Sequence, residues 1–179
     1  NLKGGLGSAS ALLANGATVG AVDVAHRAGS VTMGETGHFW AAPFEHAAEF
    51  GGLGPALEPP TWVPTKVEQG MSDREATIIA AVATDVSLSK AQLKRMAVMA
   101  HDGMARAPVP AHTPFDGDIV FAASSRSRPL AQGDAELVFL GHAAATCLAR
   151  AIARAVSEAP PAENDPNPTW RLRIGGETK

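Results

Sequence analysis

The clearest pattern in the chain is a run of apolar residues at 77–85, TIIAAVATD, that directly follows a charged stretch. Because the run is continuous and does not alternate, it predicts a strand buried on both faces. The small and β-branched residues at 17–25, ATVGAVDVA, predict a second strand, which we expect to pair with GSVTM at 29–33. A further strand is predicted for DGDIVFAASS at 116–125. These segments indicate a sheet-containing fold.

Two segments have the spacing of amphipathic helices. The first begins at Ser89, where Ser89 and Gln92 form a capping-box pattern, and it ends before Pro108. The second is predicted at 141–158 and is rich in alanine. Near the start, SASALLANG at 8–16 predicts a short helix or a loop. The apolar face of the first helix consists of Leu93, Met96, Ala97, Ala100 and Met104.

Proline and glycine divide the rest of the chain. Residues 40–75 are rich in both, and neither a helix nor the interior of a sheet tolerates them well, so this segment is predicted to be a surface loop. The proline-rich residues 159–179 predict a flexible C-terminal tail. The remaining 1–158 suit one α/β domain of layered sheets flanked by helices.

Composition narrows the class of protein. Of the 179 residues, 45% are hydrophobic and 18% are charged, which is a globular balance. A formal net charge of −3 without a basic cluster disfavours nucleic acid as a partner. Cys147 is the single cysteine, which fits a reducing, cytoplasmic compartment, and no apolar run approaches the ~20 residues of a membrane-spanning helix. Because the chain begins at Asn1 in the middle of a motif-like segment, we expect an upstream portion, which would carry any targeting signal.

Several kinds of site are disfavoured by spacing. The segment KGGLGSAS at 3–10 has its lysine before the glycines, so it does not match a phosphate-binding loop. No Gly-x-Ser-x-Gly elbow is present, and Cys147 lies on the apolar stripe of the second predicted helix as a core residue. No pair of histidines has zinc-ligand spacing, so neither a metal nor a cofactor is predicted. The histidines are His26, His38, His46, His101, His112 and His142.

Two acidic residues in PAHTPFDGD are the remaining candidates. Asp116 and Asp118 flank one glycine where a strand begins, and alternate residues of an extended segment point the same way. Their carboxylates would then converge and repel each other unless a cation lies between them. The same residues also fit an ordinary Asp-Gly turn with two solvated acids. Spacing alone leaves both interpretations open.

The long segment EATIIAAVATDVSLSKAQLKRMAVMAHDGMARAPVPAHTPFDGDIVFAAS resembles the nucleophile-bearing subunit of the L-aminopeptidase/D-esterase (DmpA-type) family, peptidase family S58. That family includes β-aminopeptidases and the endo-type nylon-oligomer (aminohexanoate) hydrolase. NLKGGLGSAS and TVGAVDVAHRAGSV are similar to the end of its other subunit. The resemblance spans 1–158, with 1–76 as the end of the α-subunit part and 77–158 as the β-subunit part. It implies a four-layer α-β-β-α sandwich of the N-terminal-nucleophile hydrolase type.

The resemblance implies that a precursor cuts itself between Ala76 and Thr77, so that Thr77 becomes the first residue of a second chain and the nucleophile. A freed α-amino group has an ordinary pKa of about 7.7–8.0 and can act as the base for the hydroxyl of the same residue. Asp116 and Asp118 match the acidic positions of the family, and their implied role is to orient Thr77 and stabilise its ammonium.

The other implied site residues are Lys3 and His26. Lys3 matches a functional lysine of the nylon-hydrolase branch and supports the carboxylates or the developing negative charge. His26 stands where the family commonly has an oxyanion-donating asparagine. The implied substrate is a small peptide or another linear amide, and the implied assembly is a homo-oligomer, such as a tetramer, of αβ units. The alternative is an unprocessed, non-catalytic homologue that acts in assembly or binding.

Overall fold

A computed structural model describes residues 2–26, 29–58 and 77–175, with the backbone alone for Ala25 and His26. One four-stranded sheet has its strands in the order of the sequence, β1-β2-β3-β4. The β1–β2 and β2–β3 pairs are antiparallel, whereas β3 and β4 are parallel. The strands are β1 Leu6–Leu12, β2 Thr18–His26, β3 Thr77–Val86 and β4 Ile119–Arg128.

Helices cover one face of this sheet. Helix α1, Lys90–Met104, connects the parallel strands β3 and β4, as parallel pairs require. Helix α2, Asp134–Ser157, packs on α1 and on β1 and β2. Small residues allow close contact, because a Cβ at Gly7 or Gly103 would run into the backbone of α2. The mixed α/β class is therefore confirmed, with a helix layer and a sheet layer among the described residues.

The local signals for the helices are largely confirmed. Ser89 caps α1, and the reciprocal bonds of the capping box with Gln92 are both present. Helix α2 begins about two turns earlier than the alanine-rich pattern predicts. Glu136 in its first turn accepts bonds from the N–H groups of Ala131 and Gln132. These bonds fix the preceding loop onto the start of the helix.

The prediction that β3 is buried on both faces is wrong for the described residues. Its side chains alternate between buried and more exposed positions, and Ile79 is 52% exposed. The face away from the helices, called the open face below, is not covered by any element that the structure describes. Apolar side chains on this face, such as Ile79, explain why the sequence of β3 is continuously apolar. The exposed apolar residues of the open face are Leu6, Val22, Val24, Ile79, Ile119 and Phe121.

Two predictions near the N-terminus are also wrong. Residues 8–12 are not a helix or loop, since they belong to β1, whereas 13–16 form the turn that joins β1 to β2. The cause is tertiary, because Gly7 and Ala9 are small enough for the strand to lie against α2. The segment 29–33 does not pair with β2, which is bonded to β1 and β3; it forms only isolated bridges, one of them from Ser30 to Val109.

The C-terminal segment is an integral part of the domain, so the prediction of a flexible tail is wrong for 159–175; residues 176–179 lie outside the described range. Trp170, the first residue of helix α3 (Trp170–Ile174), is 6% exposed. Its indole N–H donates to the carbonyl of Gly37 (2.9 Å), and its ring lies 5.2 Å from that of Phe39. The packing of Trp170 therefore fixes where this segment lies, despite its four prolines.

Trp170→Ala is expected to lower the free energy of unfolding by about 3–5 kcal/mol, because it empties a buried aromatic site and leaves the Gly37 carbonyl without its donor. The measurement is urea unfolding followed by circular dichroism. Leu172→Ala is the matched control, since Leu172 lies in the same helix and is 60% exposed; its effect should stay within about 0.5 kcal/mol. Equal, small effects of both changes would show that the segment is not anchored.

Of the predicted loop 40–75, residues 41–58 contain only a short 3₁₀ helix, Ala42–Phe44, while 59–76 lie outside the described residues.

Helix α2 is long and apolar enough to span a membrane by length and composition, but 67% of the qualifying window is buried inside the protein. A helix packed on a sheet meets the same criterion, so this is weak support for a span.

Candidate active site

The sequence-predicted site residues lie at one edge of the sheet. Thr77 is the first residue of β3, and the antiparallel register pairs it with His26, the last residue of β2. On the other side, the parallel register pairs Ile79 with Ile119, which places the DGD segment beside the start of β3. Thr77 lies two residues before the exposed Ile79, so strand alternation puts it on the open face. The topology thus flanks Thr77 with His26 and the DGD segment.

Gly117 lies against the hydroxyl of Thr77. A Cβ added at Gly117 would stand 3.1 Å from Thr77 Oγ1 and 3.9 Å from its Cγ2. The first distance is closer than ordinary van der Waals contact. The glycine between the two acids therefore leaves space that the threonine hydroxyl uses.

Asp118 is bonded to the backbone at the start of β3. The N–H of Ile78 donates to its Oδ1 (3.0 Å), and its Oδ2 lies 3.3 Å from Nδ1 of His112. The Asp118 side chain is only 6% exposed. Burial raises the pKa of this carboxyl, and the neighbouring Asp116 raises it further, while the Ile78 N–H, His112 and His101 oppose the shift. Asp118 is thus a carboxyl in contact with the residue that follows Thr77.

Asp116 has the contacts of a turn residue and also acts on its neighbour. The N–H and the hydroxyl of Thr113 both donate to Asp116 Oδ2, each at 2.9 Å. The negative charge of Asp116 also contributes to the raised pKa of Asp118. The two interpretations of the DGD segment are therefore compatible, since the turn that Thr113 closes also brings the two carboxyls near each other.

Lys3 lies just before β1, at the same end of the sheet as Thr77, with β2 between them. Its ammonium is ion-paired with Asp165 (Nζ–Oδ2 3.1 Å), and its N–H donates to the carbonyl of Pro168 (2.9 Å). The structure therefore joins Lys3 to the C-terminal segment. Its supporting role in the site stays a prediction, as does the role of His26, for which only the backbone position is described.

Sequence reasoning missed His101 and His112, whose rings lie 5.4 Å apart beside Asp118. They are eleven positions apart in the sequence, so no ligand spacing reveals them; the signal available was His112 within PAHTPFDGD. No cluster of three or more His, Cys, Asp or Glu suited to a metal occurs among the described residues. Cys147 is a buried core residue, as predicted, and burial raises its thiol pKa to about 11.

Gly117→Ala is expected to leave the fold intact and to lower the rate of any reaction that Thr77 performs, by roughly tenfold. The added methyl would press on Thr77 Oγ1, and a shift of a few tenths of an ångström misplaces a reacting atom. The control is Gly20→Ala in β2, where the nearest atom to an added Cβ is the Ala9 carbonyl at 3.8 Å. Rate constants and melting temperatures of both variants are the measurement; an unchanged rate in Gly117→Ala would separate Gly117 from the site.

Comparison with known proteins gives a family match. The family model Peptidase family S58 matches residues 1–167. A Mycobacterium tuberculosis protein named as an uncharacterized aminopeptidase is 39% identical over 98% of this chain and 53% of its own length. The chain thus spans about half the length of the curated relatives it matches first.

Solved structures with a similar fold are also found. A Burkholderia sp. beta-aminopeptidase has a TM-score of 0.53 at 26% identity, covering 87% of this chain and 42% of its own. An L-aminopeptidase D-Ala-esterase/amidase from Ochrobactrum anthropi, described as a variant of the Ntn hydrolase fold, has a TM-score of 0.54 at 24% identity over 92% of this chain and 43% of its own. The second likeness concerns the fold alone. Together with the family match over nearly the whole chain, these results show that this chain belongs to peptidase family S58.

Proposed function

We propose that this chain is part of an autoprocessing N-terminal-nucleophile amide hydrolase, which cuts itself between Ala76 and Thr77 and then uses Thr77 as its nucleophile. The single observation that carries the proposal is the position of Thr77 at the start of β3, with Gly117 against its hydroxyl and Asp118 bound to the next N–H. Ala76 lies outside the described residues.

The chemistry follows from the position. Once Thr77 is a first residue, its α-amine takes the proton of the hydroxyl, and the alkoxide attacks the carbonyl of an amide. The amine released as leaving group takes that proton, and water then hydrolyses the acyl-threonine ester. Base and nucleophile are on one residue, so little entropy is lost in bringing them together. Asp116 and Asp118 stabilise the ammonium that exists between the two proton transfers.

Several polar groups are placed to assist. His26 is the register partner of Thr77, and in this proposal it donates an N–H to the oxyanion. Lys3 supports the carboxylates or the developing negative charge from the same end of the sheet. Because Lys3 is ion-paired with Asp165, that role requires the pair to rearrange or to act through the local field. The proposal needs no metal or cofactor for any of its steps.

The substrate is proposed as a small peptide or another linear amide. The names of the relatives, aminopeptidase and beta-aminopeptidase, support a substrate with a free amino end. Hydrolysis is tested by assaying the whole protein, and its Thr77→Ala variant, against amino-acid p-nitroanilides, β-peptides and aminohexanoate oligomers. Turnover of one class that depends on Thr77 supports the proposal. No turnover of any class by a protein that is cut before Thr77 would contradict it.

The open face supports a proposal about assembly. Monomeric proteins rarely expose a large contiguous apolar surface, and this face carries Ile79 and Phe121 among other apolar side chains. We propose that a second sheet of the whole protein covers it, as in a four-layer sandwich, and that the αβ units form a homo-oligomer such as a tetramer. Light scattering of the whole protein measures that assembly.

The second candidate is an unprocessed homologue with a binding or assembly role. Two observations favour it: Lys3 is held by Asp165, and a histidine is the register partner of Thr77. The two candidates differ in covalent structure, because the enzyme requires a broken peptide bond before Thr77 and the binding protein does not. The cytoplasmic location predicted from the single cysteine remains a prediction for either.

A further inference from the structure

His112 makes a contact that the chemistry proposed above does not use. Its Nδ1 lies 3.3 Å from Asp118 Oδ2, while Asp118 Oδ1 accepts the N–H of Ile78. The two oxygens of one carboxyl are therefore bound by two different elements, the start of β3 and the loop before β4. The imidazole side chain is 41% exposed and the carboxyl 6% exposed, so the contact joins a solvent-accessible imidazole to a buried carboxyl.

The groups around Asp118 leave its negative charge poorly compensated. Burial and Asp116 both disfavour the carboxylate, so its pKa is raised; three groups act in the opposite sense, in the order Ile78 N–H, His112 and His101. Of these three, His112 is the one whose side chain is at ion-pair distance. Without His112, only the Ile78 N–H and the more distant His101 would favour the charged form of the Asp118 carboxyl.

His101 lies on the last turn of α1 and faces the same imidazole, with the two rings 5.4 Å apart. Burial lowers the pKa of His101, and His112 lowers it further, although Asp118 and Asp102 oppose the shift. Two adjacent imidazolium ions repel each other, so His101 tends to stay neutral. A neutral His101 leaves His112 as the imidazole that interacts directly with the carboxylate.

We propose that His112 is a positioning residue of the candidate active site, which holds the Asp118 carboxylate ionised and oriented toward the start of β3. An imidazole with its proton on Nδ1 can donate to Oδ2 whether it is neutral or charged. Asp118 is then fixed at both oxygens, so that it can face the ammonium of Thr77 without reorganising. The catalytic consequence rests on the function proposed above, whereas the contact itself is independent of it.

The test compares His112→Ala with His112→Asn. Asparagine places an N–H donor close to the position of Nδ1 but cannot become charged, and it tolerates the positive φ of 56° that His112 adopts. His142→Ala is the control, because His142 is an exposed histidine that is not among the groups acting on the pKa of Asp118. Circular dichroism and melting temperatures establish that each variant is folded.

Two readouts are followed against pH. The first is kcat and KM for hydrolysis; His112→Ala should lower kcat by roughly tenfold with little change in KM. The active form requires the Asp118 carboxylate, so activity is lost as the pH falls through its folded pKa. Removing an imidazole that favours the carboxylate raises that pKa, and the acid limb of the profile should move to higher pH by roughly half a unit to one unit in both variants. His112→Asn should keep most of the plateau rate.

The second readout needs no activity. It is the titration of the Asp118 carboxyl carbon resonance by NMR, assigned with Asp118→Asn, and it should move to higher pH in both His112 variants but not in His142→Ala. An unmoved resonance in a folded His112→Ala would overturn the proposal. A moved resonance with an unchanged rate and pH profile would overturn the positioning role. If the parent protein hydrolyses nothing, the proposed function has failed, and the resonance alone decides whether His112 holds the Asp118 carboxylate.

Discussion

Thr77→Ala is expected to abolish self-cleavage and hydrolysis together, with a loss of roughly three orders of magnitude or more in kcat. Both reactions need the same oxygen atom: in the precursor the hydroxyl attacks the carbonyl of Ala76, and in the mature protein it attacks the substrate. Thr77→Ser keeps the hydroxyl and should retain part of both activities. Denaturing electrophoresis and a hydrolysis assay on the same samples make the measurement.

The control for this change is Thr18→Ala. Thr18 begins β2 at the opposite end of the sheet and is exposed, so its loss should leave cleavage and hydrolysis unchanged. A Thr77→Ala variant that is still cut and still active would end the N-terminal-nucleophile account. A variant that is cut but inactive would separate processing from catalysis and assign the first to another group.

Asp116→Asn and Asp118→Asn are each expected to fold and to lose at least about a hundredfold in kcat. Their bonds from the backbone survive, because an asparagine oxygen can accept from the N–H of Ile78 or of Thr113 as the carboxylate does, whereas the contact of Asp118 Oδ2 with His112 is lost. The charge does not survive. Opposite charges about 4 Å apart interact by ~4 kcal/mol at an effective dielectric constant of about 20, and each ~1.4 kcal/mol is a factor of ten in rate. Processing should slow in parallel.

Stability should respond differently from activity at Asp118. Its folded pKa is raised, so its neutral form contributes stability that is fully present below the unfolded pKa and is lost as the pH rises through the folded pKa. Asparagine is neutral at every pH. Asp118→Asn should therefore be at least as stable as the parent in urea at neutral pH while it loses activity, a combination that a purely structural carboxylate would not give.

The acid-pair prediction has its control in Asp134→Asn, which removes an exposed carboxylate from the first turn of α2. This helix follows the end of β4 that lies opposite Thr77 in the sheet. That change should cost about 0.3–1 kcal/mol of stability through the helix dipole and leave turnover unchanged. If Asn at both 116 and 118 leaves a processed and fully active protein, the DGD segment is a turn and nothing more.

The parts of the fold that the sequence predicted correctly are those with local causes. Helix α1 is marked by a capping box whose two partners are three residues apart, and its start at Ser89 was predicted from that signal. Strand β4 and the apolar run of β3 follow from propensity over a few residues. Two acids that flank a glycine mark the DGD segment in the sequence. Its place beside Thr77 is implied by the family resemblance, and the sheet register agrees with it.

The wrong predictions have causes that lie far away in sequence. Strand β1 has no β-branched residue, and its identity depends on Gly7 and Ala9 fitting against α2. The prolines of 159–179 predict a flexible tail, whereas Trp170 holds this segment against the domain through its bond to the Gly37 carbonyl and its ring contact with Phe39. His112 meets Asp118 across a turn and His101 across the end of α1, and neither contact has a characteristic spacing. The continuous hydrophobicity of β3 predicts burial on both faces, but the described residues cover only one.

The central claim is that the peptide bond before Thr77 is broken by the protein itself, and intact mass spectrometry of the purified whole protein measures this most directly. The account predicts two chains, the second of which begins at Thr77, and a single uncut chain for Thr77→Ala purified in the same way. A single chain with the Ala76–Thr77 bond intact in a parent protein that nevertheless hydrolyses amides would contradict it.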